Sequence, residues 1–216
     1  MSPDVLRPSL TIALVFFGVV FSAGEKNAMG IEKPKYEVLE KEGRLELRQY
    51  IPHIVAETEV DGAFEEVTSE GFRRLLSYIK GNNKKRASIS MTAPVSQEAR
   101  TEKISMTAPV SQQKQGETWR ITFLMPGKYT MDTLPEPLDK RVSLTQEPGQ
   151  LIAALRYSGN WSKHRFEKNE VRLRDFIERL GLIPNGETIF ARYNPPFLPG
   201  FLRRNEVLIP VRKDLE

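Results

Sequence analysis

The chain has 216 residues, of which 39% are hydrophobic and 28% charged, a composition typical of a folded globular protein. It has no cysteine, which excludes disulfides, thiolate metal sites, cysteine nucleophiles and thiolate-ligated haem, and its two histidines argue against a multi-histidine metal site. The net charge of +4 is mild and is not clustered as in nucleic-acid-binding proteins, so we expect no nucleic-acid partner.

The N-terminal segment predicts export. Residues 10–23 carry no charge, follow Arg7 and end in small residues. As a helix they would span about 21 Å, which is short of the ~30 Å hydrocarbon core of a bilayer. This layout predicts a signal peptide over residues 1–23, with a retained membrane anchor as the alternative, and a linker over residues 24–35. The expected location is therefore the periplasm or the outer face of a membrane, with attachment through the N-terminus.

The first half of the remaining chain predicts strands and then a helix. Residues 36–50 form two strands around a turn at Gly43, and residues 54–60 continue as a third strand. Asp61 is a candidate helix cap, and residues 64–79 carry apolar side chains at helical spacing.

A nine-residue string then occurs twice. Residues 89–97 and 104–112 both read ISMTAPVSQ. Alternation within each copy predicts a strand, in which Met106 shares one face with Ile104, Ala108 and Val110. Two copies are too few for a solenoid, so the pattern indicates a local duplication around a hairpin.

The second half repeats the order of the first. Residues 151–157 predict a strand, a helix follows with apolar positions at 173, 176, 177 and 180, and further strands follow it. The expected fold is α+β: a distorted, mostly antiparallel β-barrel or curved sheet with two packed helices and two pseudo-symmetric halves.

Several short strings follow one another along the chain. They include residues 46–50 (ELRQY), the MTAPV strings at 91–95 and 106–110, residues 155–159 (LRYSG), residues 191–196 (ARYNPP) and residues 203–207 (RRNEV). Together and in this order they resemble the SOUL family of haem-binding proteins. The similarity runs over residues 36–211, and the folded domain is placed at residues 36–213. The resemblance implies a distorted barrel of two related halves that binds haem or another tetrapyrrole.

The sequence departs from the family pattern at two points. A histidine precedes the tyrosine of the second strand in some members and is proposed there as an axial ligand, whereas this chain has Gln49. The basic side chains proposed for haem propionates in one branch align with Ser69, Ser77 and Pro199. Haem is therefore the expected cofactor without an assured axial ligand.

Candidate binding residues follow from what a haem pocket needs, namely an apolar slot, cations near the propionates and an optional axial ligand. Each has an alternative reading as core packing or solvated surface. The candidates are Phe72, Leu76, Ile79, Met91 and Met106 for the slot, Arg73, Arg74, Lys80, Arg203 and Arg204 for the propionates, and His53 as a substitute axial ligand.

The sequence leaves three functions open. The first is a non-catalytic binding protein for haem or another planar hydrophobic anion. The second is a module that binds another hydrophobic molecule or a protein partner. The third, a small hydrolase, has the least support, since the chain lacks G-x-S-x-G, H-E-x-x-H and P-loop motifs. We expect no enzyme and no metal site.

Overall fold

The computed structural model describes residues 31–85 and 101–214. The predicted segment at residues 1–23, the first ISMTAPVSQ copy and Met91 lie outside these ranges. Within them the chain forms two helices, α1 (Phe64–Ile79) and α2 (Lys163–Arg179), and one 3-10 turn (Gly200–Leu202). The strands are β1 (Tyr36–Glu42), β2 (Leu45–Tyr50), β3 (His53–Val60), β4 (Asn83–Lys84), β5 (Val110–Gln115), β6 (Thr118–Leu124), β7 (Glu136–Pro137), β8 (Ser143–Glu147), β9 (Leu151–Tyr157), β10 (Leu182–Pro184), β11 (Ile189–Arg192) and β12 (Asn205–Lys213).

Ten strands form one antiparallel sheet in the order β1-β2-β9-β12-β11-β5-β6-β3-β8, with β10 also paired to β12. This confirms the α+β fold class. The sheet is curved but open, because β1 and β8 form its two edges and do not pair, so the closed-barrel alternative is wrong. β4 and β7 form a separate two-stranded sheet.

The two halves of the sheet meet at the β5–β11 pair. On one side β6, β3 and β8 follow β5, and on the other side β12, β9 and β2 follow β11. Each half carries one helix, since α1 packs on β3 and β6 while α2 packs on β9, β10 and β12. The predicted internal symmetry is therefore present.

Alternation assigns each side chain of the sheet to one of two faces. The helix face buries one apolar cluster under α2, around Leu155, Leu173 and Val207, and a second under α1, around Leu75 and Ile121. The opposite face, which we call the concave face, buries a smaller cluster around Tyr50, Ile152 and Tyr193. Both faces therefore contain buried side chains, but only one is covered by helices.

α1 lies unusually close to β6, and Gly71 makes this possible. A Cβ atom at Gly71 would lie 2.5 Å from Cγ1 of Ile121, closer than non-bonded carbons approach. The predicted cap of this helix is wrong, since Ala63 occupies the N-cap position and no side chain caps it. In α2 the hydroxyl of Ser162 accepts a hydrogen bond from the backbone N–H of Arg165.

The second ISMTAPVSQ copy is a strand only at its end. β5 begins at Val110, and residues 104–109 form a loop in which Ile104 and Ala108 are buried while Met106 is 38% exposed. The hydroxyl of Thr107 donates to the carbonyl of Leu124, and the backbone N–H of Ile104 donates to the carbonyl of Ile79. The strand predicted across the whole copy is wrong because these contacts tie the loop to α1 and β6 instead.

Residues 31–35 cross the open side of the sheet. The carbonyl of Glu32 accepts from the N–H of Ala108, its carboxylate accepts from the N–H of Gly127, and the carbonyl of Lys35 accepts from the N–H of Ile51. Neither helix of the described part is long and apolar enough to cross a membrane.

Candidate functional site

A groove lies between the two helices, over the β5–β11 pair. α1 packs mainly on β3 and β6, and α2 packs on β9, β10 and β12, so the line between the helices runs over β5 and β11. Side chains of both helices reach these strands: Thr68 of α1 binds Gln112, and Phe166 of α2 packs on Phe190. Val110 and Gln112 of β5 and Phe190 and Arg192 of β11 point to the helix face here and form the floor. We call this feature the inter-helix groove.

One flank of α1 borders this groove. Thr68, Phe72 and Leu76 follow one another at spacings of four, so they form a row along the helix. The hydroxyl of Thr68 donates to Oε1 of Gln112 at 2.6 Å, which shows that the row faces β5. Phe72 and Leu76 are half-buried, and the Phe72 ring lies 5.4 Å from that of Phe123 in an edge-on arrangement.

Arg192 connects the floor to both helices. Its guanidinium carbon lies 4.8 Å from the ring centre of Phe190, 5.0 Å from that of Trp161 and 5.9 Å from that of Phe64. One of its nitrogens donates to Gln112. This buried cation, surrounded by aromatic rings, marks the end of the groove where α2 begins.

The loop after β11 lies at the α2 end of the groove, against Trp161. It exposes three large apolar side chains, Phe197 at 85%, Phe201 at 77% and Leu202 at 57%. Arg203 holds the loop, because its guanidinium donates to the carbonyls of Leu198 (2.6 Å) and Pro196 and stacks 4.6 Å from the ring centre of Trp161. Exposed apolar side chains gathered in one place indicate a binding surface rather than ordinary surface composition.

The predicted site residues separate into those at the groove and those elsewhere. Phe72, Leu76 and Arg203 border it. Ile79 is buried beneath the end of α1, while Arg73 and Lys80 are exposed on the solvent side of the helix. Arg74 lies on the opposite flank, where it donates to the hydroxyl of Thr58 and the carbonyl of Glu59 and pairs with Glu70.

Arg204 and His53 lie on the concave face. Alternation along the chain turns Arg203 to the helix face and Arg204 to the opposite one, where it binds Glu206 and stacks on Tyr193 at 4.3 Å. His53 sits near Tyr50, with Nδ1 3.0 Å from the carbonyl of Ile51. Neither side chain can share a ligand with Phe72 and Leu76.

Trp161, Arg192, Phe197, Phe201 and Leu202 complete the groove and were not among the predicted site residues. The sequence contains a signal for three of them. Phe197, Phe201 and Leu202 occur in a Pro- and Gly-rich loop, so they do not belong to a strand or helix whose apolar face would be buried. No such signal exists for Arg192, whose position depends on the pairing of β11 with β5.

A buried ion-pair network occupies the concave face. The carboxylate of Glu206 accepts from Arg48 at 2.9 and 3.1 Å, from Arg204 at 2.7 Å and from the hydroxyl of Tyr193 at 2.8 Å. Burial alone would raise the pKa of Glu206, but the charge and hydrogen bonds of Arg48, followed by Arg204 and Tyr193, lower it to about 2. A carboxylate with a pKa this far below neutral is unsuited to general acid or base chemistry near neutral pH.

Beside this network the concave face carries an open-sided cavity of about 250 Å³. Its apolar lining includes Val55, Leu124, Ile152, Ile189 and Leu208, and its polar lining includes His53, Arg120, Glu147, Tyr50 and Tyr193. Pro34 also lines it. No group of three or more His, Asp or Glu side chains within residues 31–85 and 101–214 is arranged to hold a metal ion.

Comparison with known proteins agrees with this architecture. The family model for SOUL heme-binding protein matches residues 31–210. Heme-binding protein 1 of Xenopus laevis is 26% identical over 191 residues, covering 88% of each chain. Heme-binding protein 2 of Homo sapiens is 25% identical over 199 residues, covering 89% of this chain and 92% of the relative.

Solved structures of the same fold are more distant in sequence. A hydrolase from Listeria innocua superposes with a TM-score of 0.52 at 12% identity, covering 81% of this chain and 94% of the other. EcmrR in its complex with DNA superposes with a TM-score of 0.52 at 10% identity, covering 79% of this chain and 57% of the other. At such identities the likeness shows the fold alone.

Proposed function

Because the chain belongs to the SOUL heme-binding protein family, we propose that it binds haem or a related tetrapyrrole in the inter-helix groove as a non-catalytic protein. The observation that carries this proposal is the set of exposed apolar side chains at Phe197, Phe201 and Leu202, together with the half-buried Phe72 and Leu76 on the flank of α1. A planar hydrophobic ligand placed between them would cover apolar surface on both of its faces.

The charges at the groove suit an anionic ligand. Arg192 and Arg203 lie at its end with Trp161 between them. The positions that carry the family's proposed propionate-binding side chains are Ser69, Ser77 and Pro199, all exposed at the α1 surface or in the loop. We therefore propose that the arginines hold the propionates, and that binding does not depend on an axial histidine.

The groove also suits haem better than the concave cavity does. Sites for drug-sized ligands have volumes of about 300–1,000 Å³. The cavity of about 250 Å³ falls below this range, whereas the groove is bordered by the exposed side chains of Phe197, Phe201 and Leu202. A tetrapyrrole is larger than most such ligands.

A haem titration followed by Soret absorption tests the proposal. Phe201→Ser and Leu202→Ser should each weaken binding about tenfold or more, since burying one large apolar side chain contributes about 1.5–3 kcal/mol and 1.4 kcal/mol is a factor of ten. Leu138→Ser is the matched control, because Leu138 and Leu202 are both 57% exposed and Leu138 lies far from the loop in sequence.

The axial-ligand question is tested with His53→Ala and His164→Ala. Both variants should keep a saturable Soret shift. A loss in His53→Ala would place the ligand on the concave face and overturn the groove assignment, and the absence of any saturable shift in the wild-type protein would overturn haem binding itself.

We further propose that the protein is exported or tethered to a membrane by residues 1–23, which supplies the setting for such a ligand. The composition of the N-terminal segment supports this proposal. Expression of the full chain with fractionation and N-terminal sequencing tests it: cleavage near residue 23 or recovery in the membrane is expected, and an uncleaved protein in the soluble cytosolic fraction contradicts it.

A further inference from the structure

Three polar side chains form a row on the helix face of the sheet. Arg192 of β11 pairs with Asn205 of β12, and Asn205 pairs with Tyr157 of β9, so the three side chains point to the same side. Their exposed fractions are 9%, 0% and 6%, respectively. Because Arg192 lies at the end of the inter-helix groove, the row leads from that end of the groove into the interior.

The middle member of the row, Asn205, is bonded to the protein through both of its side-chain polar atoms. Its Oδ1 accepts from the indole N–H of Trp161 at 2.9 Å, and its Nδ2 donates to the carbonyl of Gly159 at 3.1 Å. These bonds hold the indole ring beside Arg192, whose guanidinium carbon lies 5.0 Å from the ring centre. Asn205 is therefore a positioning residue.

The inner member, Tyr157, has a buried hydroxyl that finds no hydrogen-bond partner within the part of the chain that the structure describes. Its ring lies nearly parallel to that of Phe190, with 6.4 Å between the ring centres. Buried polar groups in native proteins are nearly always hydrogen-bonded, so such a hydroxyl indicates a partner from outside the chain. A ligand atom that accepts its proton would supply that partner.

The electrostatics at this hydroxyl favour an anion. Burial raises the pKa of Tyr157, so the hydroxyl is a donor at neutral pH, while the positive charges of Arg192 and Arg165 act in the opposite direction. Arg165 is exposed in the first turn of α2, which contains no acidic side chain. Its guanidinium lies against Gly159, because a Cβ atom there would be 2.6 Å from Nη1. Two cations thus act on one hydroxyl donor.

We propose that Tyr157, Arg165 and Arg192 form a carboxylate subsite, in which the Tyr157 hydroxyl donates to one carboxylate oxygen and the two guanidinium groups compensate the charge. This assignment rests on the proposed tetrapyrrole function and identifies where a propionate group is held. It also predicts specificity for the free acid, because an esterified propionate carries no charge for the two arginines. Hydrogen bonds to a charged acceptor are stronger than those to a neutral one.

Soret titrations with haemin and with haemin dimethyl ester, both added from dimethyl sulfoxide, test the subsite. The wild-type protein should bind haemin at least tenfold more tightly than the ester. Tyr157→Phe should weaken haemin binding about tenfold, the usual effect of losing a hydrogen bond to a charged group, and should change ester binding less than threefold. Arg165→Gln alters an exposed side chain and should also weaken haemin binding more than ester binding.

Tyr193→Phe is the matched control, since it removes one buried hydroxyl from the concave face. The hydroxyl of Tyr193 donates to Glu206 at 2.8 Å, so this variant should unfold at a lower urea concentration and keep the wild-type affinity for haemin. Tyr157→Phe should show the reverse: weaker haemin binding with no loss of stability in the absence of haemin. A merely structural role of Tyr157 would lower its stability instead.

Three results would overturn the inference while leaving haem binding in place. They are wild-type haemin affinity in Tyr157→Phe, an equal loss of affinity for haemin and its ester, and a lower urea midpoint in unliganded Tyr157→Phe. The absence of a saturable Soret shift with wild-type protein would overturn the proposed function, and the subsite with it. The two failures are therefore distinguished by the wild-type titration alone.

Discussion

Arg203 and Arg204 are neighbours in sequence with opposite surroundings. Arg203 faces the helices, donates to two loop carbonyls and stacks on Trp161. Arg204 faces the concave side, where burial lowers its pKa but the charge of Glu206 and other contacts raise it overall. The side chain of Arg204 is 14% exposed and that of Glu206 is fully buried. The first arginine therefore organises a surface loop, and the second compensates a buried charge.

This difference predicts separate effects for the two alanine variants. Arg203→Ala should weaken haem binding several-fold with little change in the free energy of unfolding, because the loop that carries Phe201 loses its anchor. Arg204→Ala should lower the free energy of unfolding by about 1–3 kcal/mol, the usual cost of leaving a buried polar group under-satisfied. Soret titrations and urea denaturation of both proteins measure the two effects, and equal behaviour of the two variants would refute the assignment.

Glu206 makes stability depend on pH in a defined window. Its pKa is lowered from 4.5 to about 2 in the folded protein. A carboxylate with a lowered pKa contributes stability above its unfolded pKa and loses it as the pH falls through the folded value. The contribution should therefore be complete above about pH 5 and disappear between about pH 4.5 and 2.

Glu206→Gln tests this window. At pH 7 the variant should lose about 3–5 kcal/mol, because Arg204 loses its counter-charge and the buried Arg48 keeps only that of Glu46. The difference between variant and wild type should shrink as the pH falls from 5 towards 2, when the wild-type carboxyl is also protonated. Urea denaturation at a series of pH values measures it, with Glu178→Gln as the control for loss of a charge, and a difference independent of pH would contradict the expectation.

At the scale of elements, α1 is positioned by its packing against β6 rather than by a side chain that caps its N-terminus. It has no side-chain cap and contains Gly71, whose helix propensity is about 1 kcal/mol poorer than that of alanine. The glycine is explained by Ile121, since an added Cβ would lie 2.5 Å from its Cγ1. The intrinsic stability of α1 is therefore lower than it would be with alanine at this position, but the glycine allows the backbone of α1 to approach β6.

Gly71→Ala should therefore destabilise the protein despite the better helix propensity of alanine. We expect a net loss of about 1–3 kcal/mol, the usual cost of overpacking a core. Ser77→Ala is the matched control, since it changes the propensity of the same helix at an exposed position and should have an effect within about 0.5 kcal/mol. Urea denaturation of both variants compares them, and a gain of stability in Gly71→Ala would show that α1 can move away from β6.

The elements also show where sequence patterns are informative. Alternation over residues 45–50 and helical spacing over residues 64–79 predicted β2 and α1, because one face of each is buried against a continuous partner. The same alternation misled over residues 104–109, where hydrogen bonds of Ile104 and Thr107 to α1 and β6 hold a loop. Local pattern cannot distinguish burial in a sheet from burial of a loop against it.

For the whole molecule, the pairing of β5 with β11 determines the site. It joins the two halves, lies beneath the line between the helices and brings Arg192 next to Trp161 and Phe64. The two-half arrangement could be predicted from the repeated order of strand and helix. The groove could be predicted only in part, through Phe72, Leu76 and Arg203, because residues from β11 and its following loop meet α1 through long-range pairing.

The duplicated string offers a test of the architecture as a whole. Residues 89–97 are identical to residues 104–112, and the second copy supplies the contacts of Ile104 with Ile79, of Thr107 with Leu124 and of β5 with its two neighbours. One copy is therefore sufficient for every described contact within the string. Deleting residues 89–103 joins Ser88 directly to Ile104 and leaves a single copy.

We expect this shortened protein to fold with the same sheet. It loses the ion pair of Glu102 with Lys85 and the hydrogen bond of Glu102 with Tyr129. It also loses two hydrogen bonds between the backbone of Glu102 and the buried side chain of Asn83, so the cost should be about 2–4 kcal/mol. Circular dichroism and urea denaturation measure the fold and its stability, and haem affinity should stay within about threefold of the wild type because the deletion leaves α1, β5, β11 and the loop after β11 unchanged. Loss of cooperative unfolding would show that the first copy is needed for the fold, and loss of haem binding alone would place it at the groove.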